Sequence, residues 1–232
     1  MKLRHSLLST ALLGIFALPL HAVQGHYRSA VLQQDQIVFT AEGDLWQASL
    51  DNMTARRLSS HLAEESQPVL SPDGKQLAFV ADYDGASEIY LMPVAGGVAK
   101  RISYENSRVR IQQWLADGRV LYATDSAAGP ANYWLLKVVE PDSLATETLP
   151  LADASAGSID GQSGTVYFSR FGLQLTGDNT KVYRGGAMGE LWSWQLGSKQ
   201  EAKLLSAGHK GSISQPVYYQ GRVYFVSDAD GN

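Results

Sequence analysis

The side chains of this sequence that could carry covalent or ligand chemistry are few, and most of them sit in turn sequence. Ser163 lies in Gly161-Gln162-Ser163-Gly164. An activated serine needs a sharp strand-to-helix turn with glycine two residues away on each side. This stretch lacks the second spacing and runs into a strand-like segment, so it reads as hairpin turn chemistry. Once a leader is removed the histidines are His26, His61 and His209, and none is paired at metal-ligand spacing. Asp82-Tyr83-Asp84-Gly85 and Asp228-Ala229-Asp230-Gly231 superficially look like calcium loops. Position twelve of the first is Pro93 where a bidentate glutamate is required, and both fall in the same hairpin of a repeat. No phosphate loop or dinucleotide fingerprint is present. The residues predict no catalytic group, no metal and no cofactor for this chain.

What remains is a stretch notable for length. Between Phe168 and Leu191 lies SRFGLQLTGDNTKVYRGGAMGE, far longer than the matching breaks elsewhere and rich in glycine, asparagine and threonine. Long loops in compact domains are disproportionately functional. Arg170, Asn179, Lys181 and Arg184 are therefore the candidate contacts to a substrate or another domain. Arg184, ahead of Gly185-Gly186, reads equally well as a cap on strand carbonyls within the loop.

The elements that must position these residues are read from Gln67 to Ser103. Short apolar runs alternate with turns there: Ser71-Pro72-Asp73-Gly74, Leu77-Ala78-Phe79-Val80, Asp82-Tyr83-Asp84-Gly85, Ile89-Tyr90-Leu91-Met92, Gly96-Gly97, Lys100-Arg101-Ile102-Ser103. Each run is too short for a helix, and each break holds the Gly, Asp or Pro that tight turns demand. The unit is an antiparallel meander of four strands. The aromatic closing its second strand recurs at Phe39, Phe79, Tyr122, Phe168 and Phe225, in steps of 40, 43, 46 and 57. That period, with four strands per copy, predicts an all-β β-propeller of four-stranded antiparallel blades. Blades are expected at about 26–59, 66–103, 108–149, 154–206 and 213–232, roughly four and a half in all. Third strands are matched as Asp44-Leu45-Trp46, Glu88-Ile89-Tyr90, Asn132-Tyr133-Trp134 and Glu190-Leu191-Trp192, whose large residues should fill the space between blades. Arg56-Arg57 and Lys100-Arg101 take equivalent fourth-strand places, where edge charge discourages aggregation.

The 232 residues carry a formal charge of -4, with 44% hydrophobic and 18% charged residues, ordinary for a globular protein and without the basic excess nucleic acid demands. Residues 1–22 read as a signal peptide: Lys2 and Arg4, an apolar run from Leu7 to Leu20, then Leu20-His21-Ala22 as cleavage site. There is no cysteine for disulfides or lipid attachment. These features predict a periplasmic or secreted protein with no membrane attachment after cleavage, the alternative expectation being an uncleaved N-terminal anchor. The last repeat stops in a turn at Asn232, so the chain is expected to be the N-terminal piece of a longer polypeptide.

Ser71-Pro72-Asp73-Gly74-Lys75 with Leu77-Ala78-Phe79 and Glu88-Ile89-Tyr90-Leu91-Met92 resembles the repeat shared by TolB-type, prolyl oligopeptidase and tricorn propellers. A more specific resemblance is to the amino-terminal propeller of tricorn-like proteases. It rests on Tyr27-Arg28, Asp35-Gln36-Ile37-Val38-Phe39, Asp44-Leu45-Trp46, Ala55-Arg56-Arg57-Leu58, and Asp178 to Gly186 ahead of Gly189-Glu190-Leu191-Trp192. The resemblance implies a six-bladed propeller within a modular serine-type peptidase whose catalytic region lies outside this chain. It implies as partners peptides or unfolded protein segments, downstream domains of the same polypeptide and a possible homo-oligomer. The alternative expectation is a stand-alone TolB-like propeller serving as a protein-binding scaffold in the periplasm.

Overall fold

The structure, a computed structural model, describes residues 26–52, 54–127, 133–171 and 185–230. The expected signal peptide lies outside the described residues. No helix occurs among those described. Four sheets are four-stranded meanders. The first holds β1 (Tyr27–Gln33), β2 (Gln36–Ala41), β3 (Asp44–Ser49) and β4 (Ala55–Arg57). The second holds β5 (Glu65–Leu70), β6 (Gln76–Ala81), β7 (Glu88–Pro93) and β8 (Lys100–Arg101). The third holds β9 (Val109–Trp114), β10 (Val120–Thr124), β11 (Leu135–Val139) and β12 (Thr146–Thr148). The fourth holds β13 (Ala156–Ile159), β14 (Thr165–Arg170), β15 (Glu190–Gln195) and β16 (Lys203–Leu204). A fifth sheet pairs β17 (Ile213–Tyr219) with β18 (Arg222–Ser227).

First strands neighbour one another in order, β1 with β5, β5 with β9, β9 with β13 and β13 with β17. They are the inner strands of sheets fanned about one axis, which is the blade arrangement of a propeller. Because side chains alternate across a strand, each middle blade has two faces to bury. Ile37, Leu77, Val120, Val166 and Val223 all fall on second strands. Phe79 packs with Val38 and Leu45 of the first blade, Tyr122 with Ala78 and Val80 of the second, and Phe168 with Leu121 of the third. In the second, third and fourth blades the aromatic that marks the repeat therefore fills the seam with the preceding blade.

Two expectations are corrected. In the third blade Tyr122 pairs with Lys137, whereas Phe39, Phe79 and Phe168 pair with Trp46, Tyr90 and Trp192. Lys137, three residues later than Trp134, occupies the aromatic position; Trp134 precedes β11 and is fully buried in the next seam. Asn132 lies outside the described residues. Secondly, Ser169, Arg170 and Glu190 belong to β14 and β15, with Arg170 opposite Glu190, so the fourth-blade connection is 171–189.

Polar clips join the blades along the same seams. Gln67 Oε1 accepts the Ile111 N–H at 3.0 Å, Gln112 Oε1 the Gly157 N–H at 3.0 Å, and Gln113 Oε1 the Ile159 N–H at 2.8 Å. At the rim, Arg56 donates to the Val94 carbonyl at 2.9 Å and Lys100 to that of Pro141 at 3.0 Å. These basic residues do occupy equivalent register positions. Beyond charging an edge, they satisfy carbonyls of the following blade's outer turn.

Candidate functional site

Inner strands of a propeller surround its axis, so side chains there meet whatever enters. A cavity of about 530 Å³ is framed by β5, β9, β13 and β17. Among the described residues its wall combines the amides of Gln67, Gln112 and Gln215, several serine hydroxyls, the apolar Ile111 and Val217, and one charged residue, Arg110. Inner-strand bulges shape it: Gln67 and Gln215 take left-handed backbone angles, φ 52° and 51°, where the pairing with the second strand shifts register. Both bulges are built from the same tetrapeptide, Ser66-Gln67-Pro68-Val69 and Ser214-Gln215-Pro216-Val217. A bulge leaves backbone groups off the ladder and re-aims the side chain.

Arg110 rests on an aromatic ring. Its guanidinium carbon lies 4.4 Å from the Trp134 ring centroid, and that of Arg108 lies 5.2 Å from it. Arg108 is bound through Nε to Asp125 at 2.6 Å. Burial would raise the Asp125 carboxyl, yet the hydrogen bonds from Ser107 and Arg108 outweigh it and hold the carboxyl below its ordinary range. Arg110 forms no salt bridge or side-chain hydrogen bond among the described residues. Burial, and then the nearby Arg108, lower its pKa, and attraction to Asp125 offsets only part of this.

Of the residues predicted for contact, Arg170 is at the end of β14, its guanidinium 4.7 Å from the Phe171 ring and 5.4 Å from that of Trp192. Its buried Nε has no acceptor among the described residues. Phe171 borders the axis cavity, whereas Arg170 borders a separate pocket of about 400 Å³ with Trp192, Trp194 and Asp153. Asn179, Lys181 and Arg184 lie outside the described residues. Sequence reasoning passed over Arg110, Gln112 and the glutamine bulges. The repeated Ser-Gln-Pro-Val was the available signal, because a repeated polar tetrapeptide at the start of a blade marks a shared inner-strand geometry.

The groups set aside as turn chemistry are engaged in turns and seams. Ser163 Oγ donates to Asp160 at 2.6 Å, and Gly164 has φ 71°. Asp84 accepts the Tyr90 hydroxyl at 3.0 Å, and burial, then Asp84, push that phenol up to about 12. Among the described residues no three His, Asp or Glu side chains converge as metal ligands. Among the described residues the site presents amide and hydroxyl groups, apolar surface and the Arg110 cation.

The model of the tricorn protease N-terminal beta propeller domain matches residues 24–232. Tricorn protease homolog 1 of Streptomyces coelicolor is 34% identical over 198 residues, 84% of this chain and 18% of that protein. A tricorn protease homolog of Saccharolobus solfataricus is 30% identical over 214 residues, 90% of this chain and 19% of that protein. The chain thus spans about a fifth of the length of these relatives. Among solved structures, tricorn protease superposes with a TM-score of 0.73 at 24% identity, over 88% of this chain and 20% of that one. A putative TolB from Agrobacterium tumefaciens gives 0.69 at 17% identity, over 88% of this chain and 71% of that one. With the repeat, the seams and the inner-strand cavity in place, the chain belongs to the family of tricorn protease N-terminal β-propeller domains.

Proposed function

We propose that this chain is the non-catalytic propeller of an exported tricorn-like serine-type peptidase, and that it binds or gates peptide segments for a catalytic region elsewhere in the polypeptide. The observation that carries this reading is the cavity of about 530 Å³ among the inner strands, whose amides and hydroxyls can bond an extended backbone without selecting a sequence. Identities of 34% and 30% to tricorn homologues, against 17% to a TolB, favour this over a stand-alone envelope scaffold.

The chain expressed alone should hold a fluorescent peptide, measured by anisotropy, and hydrolyse none. Labelling of one of its serines by a fluorophosphonate would overturn the non-catalytic assignment. Several hundred codons continuing the reading frame support the peptidase, whereas a stop within one or two blades supports the scaffold. Export is checked by sequencing the mature N-terminus from a periplasmic extract. A start near Val23 is expected, and an intact Met1 in the cytosol would refute it.

A further inference from the structure

We propose that Gln215, with the apolar face of β17 and β18 beside it, is the docking point for the inner strand of a further blade of the same polypeptide, and that its side-chain oxygen receives a backbone N–H of that strand. It rests on the longer polypeptide of the proposed function and is independent of peptide binding. Two glutamines join described blades in this way. Gln67, in the bulge of β5, accepts the N–H of Ile111, the partner of Tyr122 across the third blade's first two strands. Gln112, in the bulge of β9, accepts the N–H of Gly157, the partner of Phe168 in the fourth. In each case a bulge glutamine finds the N–H that lies opposite the next blade's marker aromatic. Gln215 occupies the same place in its own blade, in the same Ser-Gln-Pro-Val bulge and with nearly the same backbone angle as Gln67, φ 51° against 52°. It is exposed, and its amide has no hydrogen-bond partner among the described residues.

The apolar side chains around it follow the same template. Val69, Ala78 and Val80 of the second blade pack into the seam with Ile111 and Tyr122 of the third. Val69 pairs with Ala78 as Val217 pairs with Tyr224, and Val80 with Ser66 as Val226 with Ser214. The counterparts Val217, Tyr224 and Val226 stand exposed. The face thus continues the series of seams, and its acceptor defines what fits: an inner strand with a residue other than proline opposite its blade's aromatic, because proline has no N–H to give.

The test uses the whole polypeptide that carries this chain and follows hydrogen exchange in the inner strand after β18. Gln215→Ala should speed exchange of one amide there about tenfold or more, the scale of a buried hydrogen bond lost. Gln215→Glu keeps an acceptor oxygen and should retain most of the protection. Unchanged exchange in that strand of Gln215→Ala overturns the proposal. A second measurement needs no variant to fold: hydroxyl-radical footprinting of the native polypeptide over a dilution series should find Tyr224 protected at every concentration. Labelling of Tyr224 throughout the series overturns the proposal, and protection lost on dilution assigns the face to a second copy and overturns it as well. A reading frame with no blade after β18 removes the longer polypeptide of the proposed function together with this docking point. A following blade whose exchange ignores Gln215 sinks the docking point alone.

Discussion

Lys137 stands where other blades carry an aromatic, and its charge is met by a local acid. Its ammonium bonds both Glu105 carboxylate oxygens at 2.9 Å, and the Tyr122 hydroxyl donates to the same group at 2.7 Å. Burial would raise Glu105, but bonds from Ser126, Lys137 and Tyr122 outweigh it and hold its pKa below the ordinary 4.5. A lowered carboxylate pKa contributes stability that is present above the unfolded value and is lost as pH falls through the folded one. The urea midpoint should therefore fall as pH drops from about 5 to about 3, and less steeply in Glu105→Gln. At neutral pH that variant should lose about 1–3 kcal/mol, because Lys137 is left half-buried without its acid. None of this was legible: Asn132-Tyr133-Trp134 imitates Asp44-Leu45-Trp46 more closely than Leu135-Leu136-Lys137 does. Only pairing across β10 and β11 reveals the register.

At the scale of the element, blades are held by apolar seams and by a few long-range clips. Removing the acceptor in Gln112→Ala should leave the Gly157 N–H unsatisfied at the seam of β9 and β13. The expected loss is about 1–3 kcal/mol, with faster hydrogen exchange at Gly157; unchanged exchange would show that the clip is idle. Gly189 is tighter still. A Cβ there would meet the Ile213 carbonyl oxygen at 2.1 Å, where the Ile213 N–H bonds the Gly189 carbonyl at 2.8 Å. Gly189→Ala should push β17 from the fourth blade and lower the thermal midpoint, by an overpacking cost of about 1–3 kcal/mol. Strands and turns were legible because period-two alternation and turn residues are local signals. Clips between residues some 45 positions apart in sequence leave no local trace.

At the scale of the molecule, the fan has two faces that no described residue covers. Val217, Tyr219, Tyr224 and Val226 stand 53%, 59%, 52% and 54% exposed on one side of β17 and β18, while Tyr218 stacks on Tyr167 of the fourth blade on the other. The first blade turns Tyr27, Leu32 and Phe39 away from its neighbour. Exposed apolar surface of this extent drives association. The isolated chain should bind a hydrophobic dye and self-associate with concentration, seen by sedimentation, whereas a monodisperse monomer that excludes the dye would contradict this. The repeat itself was visible from the spacing of five aromatics; the axis cavity was not, since it is made by inner strands from four repeats at once. Under the proposed function, peptide meets the propeller at those inner strands. Hydrogen–deuterium exchange of the whole polypeptide with and without a bound peptide tests it most directly. Protection at residues 110–113, 155–157 and 212–215 is predicted, whereas protection confined to the outer strands β4, β8, β12 and β16, with the inner strands unchanged, would contradict it.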